Sequence, residues 1–333
     1  MTKKYLAISF GLIGLLSCAT AQASCGSTAC SINTNWDEHG SSRPGWTADL
    51  RYSYSRADTL RSGSNKITIN PADPAYAGAE VENLRTINKL VTAMIDYTHD
   101  DHWGVMVNLP YVVRDHAHTI GAPAAPFQTD SFTASALGDI KVVGRYRWAL
   151  DEANRSGMGI KFGLKLNTGK KDFRLASGPL PNEVTLQPGN GSTDLIAGAF
   201  WQQAAPGSDW NWFAQGTMQS SINSSITFRP GDQINLDGGA RYAFSHNLSG
   251  LLQLNTQWNS QDSGSAAAPS AATPTMPGSA TGGWSLSFTP GLSYAFTPST
   301  QLYGLLQLPL YQYVNGEQLT AGSSITVGIS HRF

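Results

Sequence analysis

"WSLSFTPGLSYAF" (residues 284–296) places Trp284, Leu286, Phe288, Pro290, Leu292, Tyr294 and Phe296 on one parity and Ser285, Ser287, Thr289, Gly291, Ser293 and Ala295 on the other. A strand sends successive side chains to opposite faces, so the stretch predicts a strand with one apolar face and one small or polar face. It is also long. Ordinary soluble strands average about 5–6 residues, whereas a tilted strand needs about 9–11 to cross a bilayer.

The same period of two recurs outward in both directions. Ile160, Phe162, Leu164 and Leu166 alternate with Lys161, Gly163, Lys165 and Asn167. Such segments number about twelve: 46–55, 86–99, 103–114, 138–149, 159–168, 193–203, 210–220, 234–244, 248–259, 284–296, 301–312 and 321–333. Short connections at 99–102, 151–157, 205–209, 245–247 and 297–300 alternate with longer ones at 56–85, 115–137, 169–192, 221–233, 260–283 and 313–320. An even number of long antiparallel strands, with short turns at one end and long loops at the other, is the pattern of a bacterial outer-membrane barrel. The predicted fold is therefore all-β, a transmembrane antiparallel β-barrel over residues 46–333 with short periplasmic turns, long extracellular loops and both termini in the periplasm.

The aromatic residues fall in two bands. Trp103, Trp148, Trp201, Trp210, Trp212, Tyr242, Phe244, Tyr294, Phe296 and Tyr303 lie beside short turns, and Tyr52, Tyr54, Tyr111, Trp258, Trp284 and Tyr311 beside long loops. Belts of this kind mark the two membrane interfaces. The last segment runs to the final residue, Phe333, with Ile329, Val327 and Ile325 on its parity. A closed barrel needs its last strand to seal the wall, because an open edge in hydrocarbon leaves backbone groups unsatisfied. Phe333, Ile329, Val327 and Ile325 also resemble the C-terminal signature that the barrel insertion machinery recognises, so this machinery and the outer-membrane lipids are expected partners.

Residues 1–23 read as a secretory signal: Lys3 and Lys4, an apolar run from Tyr5 to Leu16, and Ala21-Gln22-Ala23 as a cleavage site. A lipid-anchor reading at Cys18 is weakened by the fit of "LLSC" around it. Cys25 and Cys30 then sit in a periplasmic segment, 24–45. An exported pair close in sequence is expected to form a small disulfide loop. Lys3 and Lys4 are two of the chain's 22 basic residues, which leaves 20 basic against 23 acidic and gives no electrostatic case for nucleic acid. Charged residues make up only 14% of the chain, against about 25% in soluble proteins.

If the apolar parity meets lipid, the other parity lines the lumen. An Arg or Lys on the lipid face costs about 2–4 kcal/mol at the midplane, which sets the register. The rule puts Asp49, Arg51, Asp96, Asp139, Lys141, Arg145, Arg147, Lys161, Lys165, Asp237 and Arg241 inside, and segments 138–149 and 159–168 supply five of the seven basic groups. A basic wall biases a pore toward anions. Twelve strands are intermediate between barrels packed shut and wide porins, so passage of small solutes is expected, with loops 56–85 and 115–137 able to fold inward. His116 and His118 share a face and, with Asp115, form a conceivable metal set, but in an exposed loop they read as solvated, so neither metal nor cofactor is expected. His99 and His102 flank an Asp-Asp turn, and turn chemistry explains them.

"LPYVVRDH" (109–116), "LGDIKVVGRYRW" (137–148) and "GIKFGLKLNTGKKDF" (159–173) resemble the outer-membrane barrels named for the MetA pathway of phenol degradation. The matching positions are Gly138-Asp139 and Asn167-Thr168-Gly169, with Asn167 where that family has Pro. The resemblance implies an outer-membrane transporter, in some members linked to aromatic catabolism, and carries over no binding residue.

Three functions compete. A channel or transporter for small solutes, anionic or aromatic, is favoured by the charged interior parity. A non-conducting scaffold would use segment 24–45 to dock a periplasmic partner. A lipid hydrolase would need a nucleophile and base; His246 and Ser249 are the nearest pair but lie at a periplasmic turn without a Gly-x-Ser-x-Gly. The expectation is therefore a non-enzymatic protein of the outer membrane.

Overall fold

The computed structural model describes residues 44–122, 126–151, 156–173, 184–225, 228–264 and 280–333. Residues 1–23, expected to be a signal sequence, segment 24–43 with Cys25 and Cys30, and residues 265–279 lie outside the described residues. Thirteen strands form one antiparallel sheet: β1 (Gly45–Gly63), β2 (Asn65–Lys66), β3 (Glu80–Thr98), β4 (Trp103–Ile120), β5 (Gln128–Leu137), β6 (Lys141–Asp151), β7 (Ser156–Lys165), β8 (Thr193–Ala204), β9 (Trp210–Asn223), β10 (Gln233–Ala243), β11 (Leu248–Asn259), β12 (Gly283–Thr297) and β13 (Thr300–Arg332).

The pairing runs β13-β12-β11-β10-β9-β8-β7-β6-β4-β3-β1, and β13 returns to β1 to close the ring. Eleven strands make the closed wall, while β2 hangs on β1 and β5 on β4. β13 is long because it crosses the wall twice. Its first arm pairs with β12 from Thr300 to Val314, and its second pairs with β1 from Val314 to Arg332. The chain reverses at Asn315-Gly316, where Gly316 takes φ 60. Asn-Gly is the strongest short hairpin signal because this turn needs positive φ, so the expected loop 313–320 is a tight turn and the wall has twelve crossings.

Four short connections lie where expected, the fifth falls largely on residues 152–155 outside the described residues, and Arg332 lies opposite Thr47 at the same end. The opposite end differs from expectation. The stretches 56–85 and 115–137 are not simply loops: β1 extends to Gly63, β3 begins at Glu80, and β4 and β5 form a hairpin that projects beyond the β4–β6 pairing. Ala57, Leu60, Val81, Phe132, Leu186 and Leu319 pack there into a buried apolar cluster. Strand period and sheet pairing thus continue past the membrane and bury a small core of their own.

The outer surface is apolar. Leu50, Leu236, Leu252, Leu292, Leu310 and Ile325 are each about half exposed or more, and Asp49, Asp237, Gln253 and Ser293 on the alternate parity are buried. A surface of that extent on the outside of a closed sheet needs hydrocarbon as its solvent. Among the described residues no helix is long and apolar enough to cross a membrane.

At the short-turn end Trp46 meets Tyr97, Trp103 meets Tyr146, and Trp210 meets Tyr242 at ring separations of 4.6, 4.7 and 4.8 Å. Trp284 and Tyr311 meet at 4.5 Å toward the other end. Tyr303 is a correction to the belt. It is 2% exposed and points inward, because Leu302 and Leu306 occupy the outer parity on either side.

Candidate functional site

The site is the interior of the barrel, and its two halves are built differently. Toward the short turns, Phe213, Leu251, Tyr303 and Leu305 form a buried apolar cluster inside the ring. Arg241 lies over the Phe213 ring at 5.3 Å. The Tyr303 hydroxyl donates to both carboxylate oxygens of Asp49, at 3.0 and 2.8 Å. Arg145 forms an ion pair with Asp96, donating one bond of 2.8 Å to Oδ1, and donates a second of 2.6 Å to the Thr98 hydroxyl. Arg147 lies over Gly157, where a Cβ would come within 2.7 Å of its Nε.

Toward the long connections the interior opens into a cavity of about 560 Å³. Arg51, Arg114, Lys141, Lys161 and Lys165 contribute to its lining, with Asp139 and Asp194. Lys141 donates to Gln219 at 2.9 Å and Lys161 to Gln215 at 3.0 Å.

Lys165 is compensated. It bonds Asp139 at 2.8 Å, Asn190 at 2.7 Å and Ser192 O at 2.9 Å, and lies 3.4 Å from Asp194. Asp237 accepts from Gln215 at 2.8 Å and from Asn255 at 2.7 Å. Between Arg51 on β1 and Lys141 on β6, the neighbouring strands β3 and β4 present Leu90, Met94, Met106, Pro110 and Val112 to the same cavity.

Inward-folded connections bound the cavity. The segment after β7 brings a short helical turn, Val184–Leu186, into the lumen, where Arg114 donates to Thr185 O at 2.9 Å and to Asn88 Oδ1 at 2.6 Å. Asp262, between β11 and β12, also lines it. Burial pushes the Asp262 carboxyl above the usual carboxylate range, opposed by hydrogen bonding to Gly231 and Thr281.

Of the eleven residues expected in the lumen, Asp49, Asp96, Asp139, Lys165, Asp237 and Arg241 are buried. Asp49, Asp96, Arg145, Arg147 and Arg241 sit toward the short turns, Asp237 is bonded to Gln215, and Arg51, Asp139, Lys141, Lys161 and Lys165 line the cavity. Strand alternation also marked Asp194, beside the exposed Leu195, and Arg114; both were missed. The inward Phe213, Leu251 and Leu305 carry no signal of that kind, since apolar residues on both parities read as lipid-facing. Ile325, Val327, Ile329 and Phe333 are exposed on the outer surface of the second arm of β13.

His116 and His118 correct an expectation. They are not in an exposed loop but on β4, each 2% exposed. Asp115 points to the opposite side, where it accepts from Thr133 at 2.8 Å and Lys89 at 3.3 Å. At the other end, His246 is exposed in the β10–β11 turn, and Ser249 lies between Ala243 and Ser293 in the sheet.

A closed antiparallel wall with an apolar exterior, aromatic belts and a polar interior defines an outer-membrane β-barrel protein, located in that membrane. The chain belongs to the family described as the MetA-pathway of phenol degradation, which matches residues 62–327. Among solved structures it is similar to the COG4313 outer membrane channel from Pseudomonas putida F1, at 13% identity and TM-score 0.62, over 87% of this chain and 96% of that one. The P. putida toluene transporter TodX is more distant, at 10% identity and TM-score 0.44, over 87% and 90% of the two chains. No curated protein matches the chain in sequence.

Proposed function

We propose that the protein is an outer-membrane channel for small organic anions, with an aromatic or other apolar portion in the preferred solutes. The observation that carries this reading is the 560 Å³ cavity. Arg51, Lys141 and Lys161 line it, and Leu90, Met94, Met106 and Val112 form an apolar strip on the strands between Arg51 and Lys141. Cationic walls attract negative solutes and repel cations, while the adjoining apolar strip offers a ring or short chain somewhere to leave water. Family membership and the likeness in fold to an outer membrane channel support the same reading.

The test is conductance and ion selectivity in planar bilayers. Wild-type protein should give discrete steps with chloride favoured over potassium. Lys141→Glu combined with Lys161→Glu should lower that preference by roughly twofold or more, because a charged wall sets selectivity. Absence of conductance, or a preference for potassium in the wild type, would overturn the proposal.

A further inference from the structure

The cluster of Glu82, His116 and His118 takes no part in the lumen chemistry described above. All three are buried, and their ligand atoms lie within 4.8 Å of one another. We propose that they form a binding site for a divalent transition-metal ion of the zinc class, set at the extracellular root of the β3–β4 extension.

The geometry is built in three steps. His116 and His118 are two residues apart on β4, so both rings emerge on one face. Glu82 reaches the same place through an irregularity in the β3–β4 register between Val81 and Arg85; extra residues in one strand of a pair re-aim side chains in this way. His116 Nε2 then faces His118 Nδ1 at 3.0 Å and Glu82 Oε1 at 3.5 Å. Two nitrogens bound tetrahedrally at about 2.0–2.1 Å lie about 3.3 Å apart, so a small opening of the histidine pair would admit an ion.

The remaining nitrogens support the reading. A ligating histidine normally donates its other N–H to an oxygen, which fixes tautomer and ring orientation. His116 Nδ1 lies 2.9 Å from the Thr86 hydroxyl. His118 Nε2 has no hydrogen-bond partner among the described residues, but Glu80 Oε1 is 3.7 Å away. With His116 Nδ1–H on Thr86 and His118 Nε2–H turned to Glu80, the two nitrogens that face Glu82 are both left with lone pairs.

Two histidines and one carboxylate suit zinc and leave a fourth position for water. Asp130 lies opposite His118 in the β4–β5 register, and Phe132 covers His116 at a ring separation of 5.4 Å. The ion would tie β3 to β4 two residues beyond Arg114, which holds the inward turn at Thr185.

The test uses the untagged full-length protein in detergent and zinc sulfate alone, followed by equilibrium dialysis with metal analysis. One ion per chain is expected. Binding should weaken at least tenfold in Glu82→Gln and be lost in His118→Ala, while His99→Gln with His102→Gln leaves it unchanged. Retention of the heat-dependent gel shift shows that each variant is a folded barrel.

In case a variant does not fold, cobalt(II) on the wild type should give the absorption of a four-coordinate nitrogen and oxygen site. No stoichiometric binding, binding that survives His118→Ala, loss on changing His99 and His102, or an octahedral cobalt spectrum would overturn the proposal.

Discussion

The two halves of the lumen obey one alternation rule and reach opposite results. Near the short turns, inward positions hold Phe213, Leu251, Tyr303 and Leu305, which pack against one another inside the ring. Near the long connections, inward positions hold Arg51, Lys141, Lys161 and Asp194, and a cavity of about 560 Å³ remains. A twelve-crossing wall is wide enough for either outcome, so side-chain volume and polarity decide whether it is a core or a passage. Parity says which way a residue faces and nothing about whether its neighbours leave room.

The comparison is most directly broken by thinning the apolar cluster near the short turns. Phe213→Ala with Leu305→Ala should raise single-channel conductance severalfold, whereas Leu90→Ala with Val112→Ala in the open half should change it by less than about twofold, since a series path is limited by its narrowest part. Equal effects from the two double variants would show that the apolar cluster is not the constriction.

A smaller effect is expected from the ion pair at the edge of that cluster. Asp96→Ala leaves the Arg145 guanidinium without its carboxylate in a largely buried place, and breaking such a pair costs about 3–5 kcal/mol. Denaturant unfolding in detergent should show it. Removing Lys165 should cost about as much, because it leaves Asp139 and Asp194, both buried, without their shared cation.

The smallest effect is expected at the β3–β4 turn. Asp100 Oδ1 accepts from the amides of Trp103 at 2.6 Å and His102 at 2.8 Å. These bonds, that from Trp103 foremost, hold its carboxyl below the usual carboxylate range. A lowered pKa in the folded state adds stability that is full above the unfolded-state pKa and is lost as pH falls through the folded-state value. Asp100→Asn should therefore lose slightly more stability relative to wild type at neutral pH than in acid, read as a difference in unfolding midpoint. A gap that widens in acid would contradict this account.

Much of this was legible along the chain. The long alternating strands, the short turns between them and the lipid-facing parity follow from a period of two and from the cost of charge in hydrocarbon. The hairpin at Asn315-Gly316 was also written locally, in a dipeptide that favours positive φ. The fate of each inward charge was not: whether Lys165 meets a carboxylate or Lys161 an amide depends on which residues the register sets opposite them.

The sequence by itself therefore determined a closed, lipid-facing β wall and which side of it each residue occupies, because those properties need only nearest neighbours and the contrast between lipid and water. Tertiary structure alone decided what fills the interior. Tyr303 reaches Asp49 across 254 positions of sequence, Arg114 grips Thr185 from an inward-folded connection, and a register shift between Val81 and Arg85 carries Glu82 to His116. Each of these depends on ring closure, on strand stagger or on where a loop turns, quantities set by the whole barrel at once and by no local pattern.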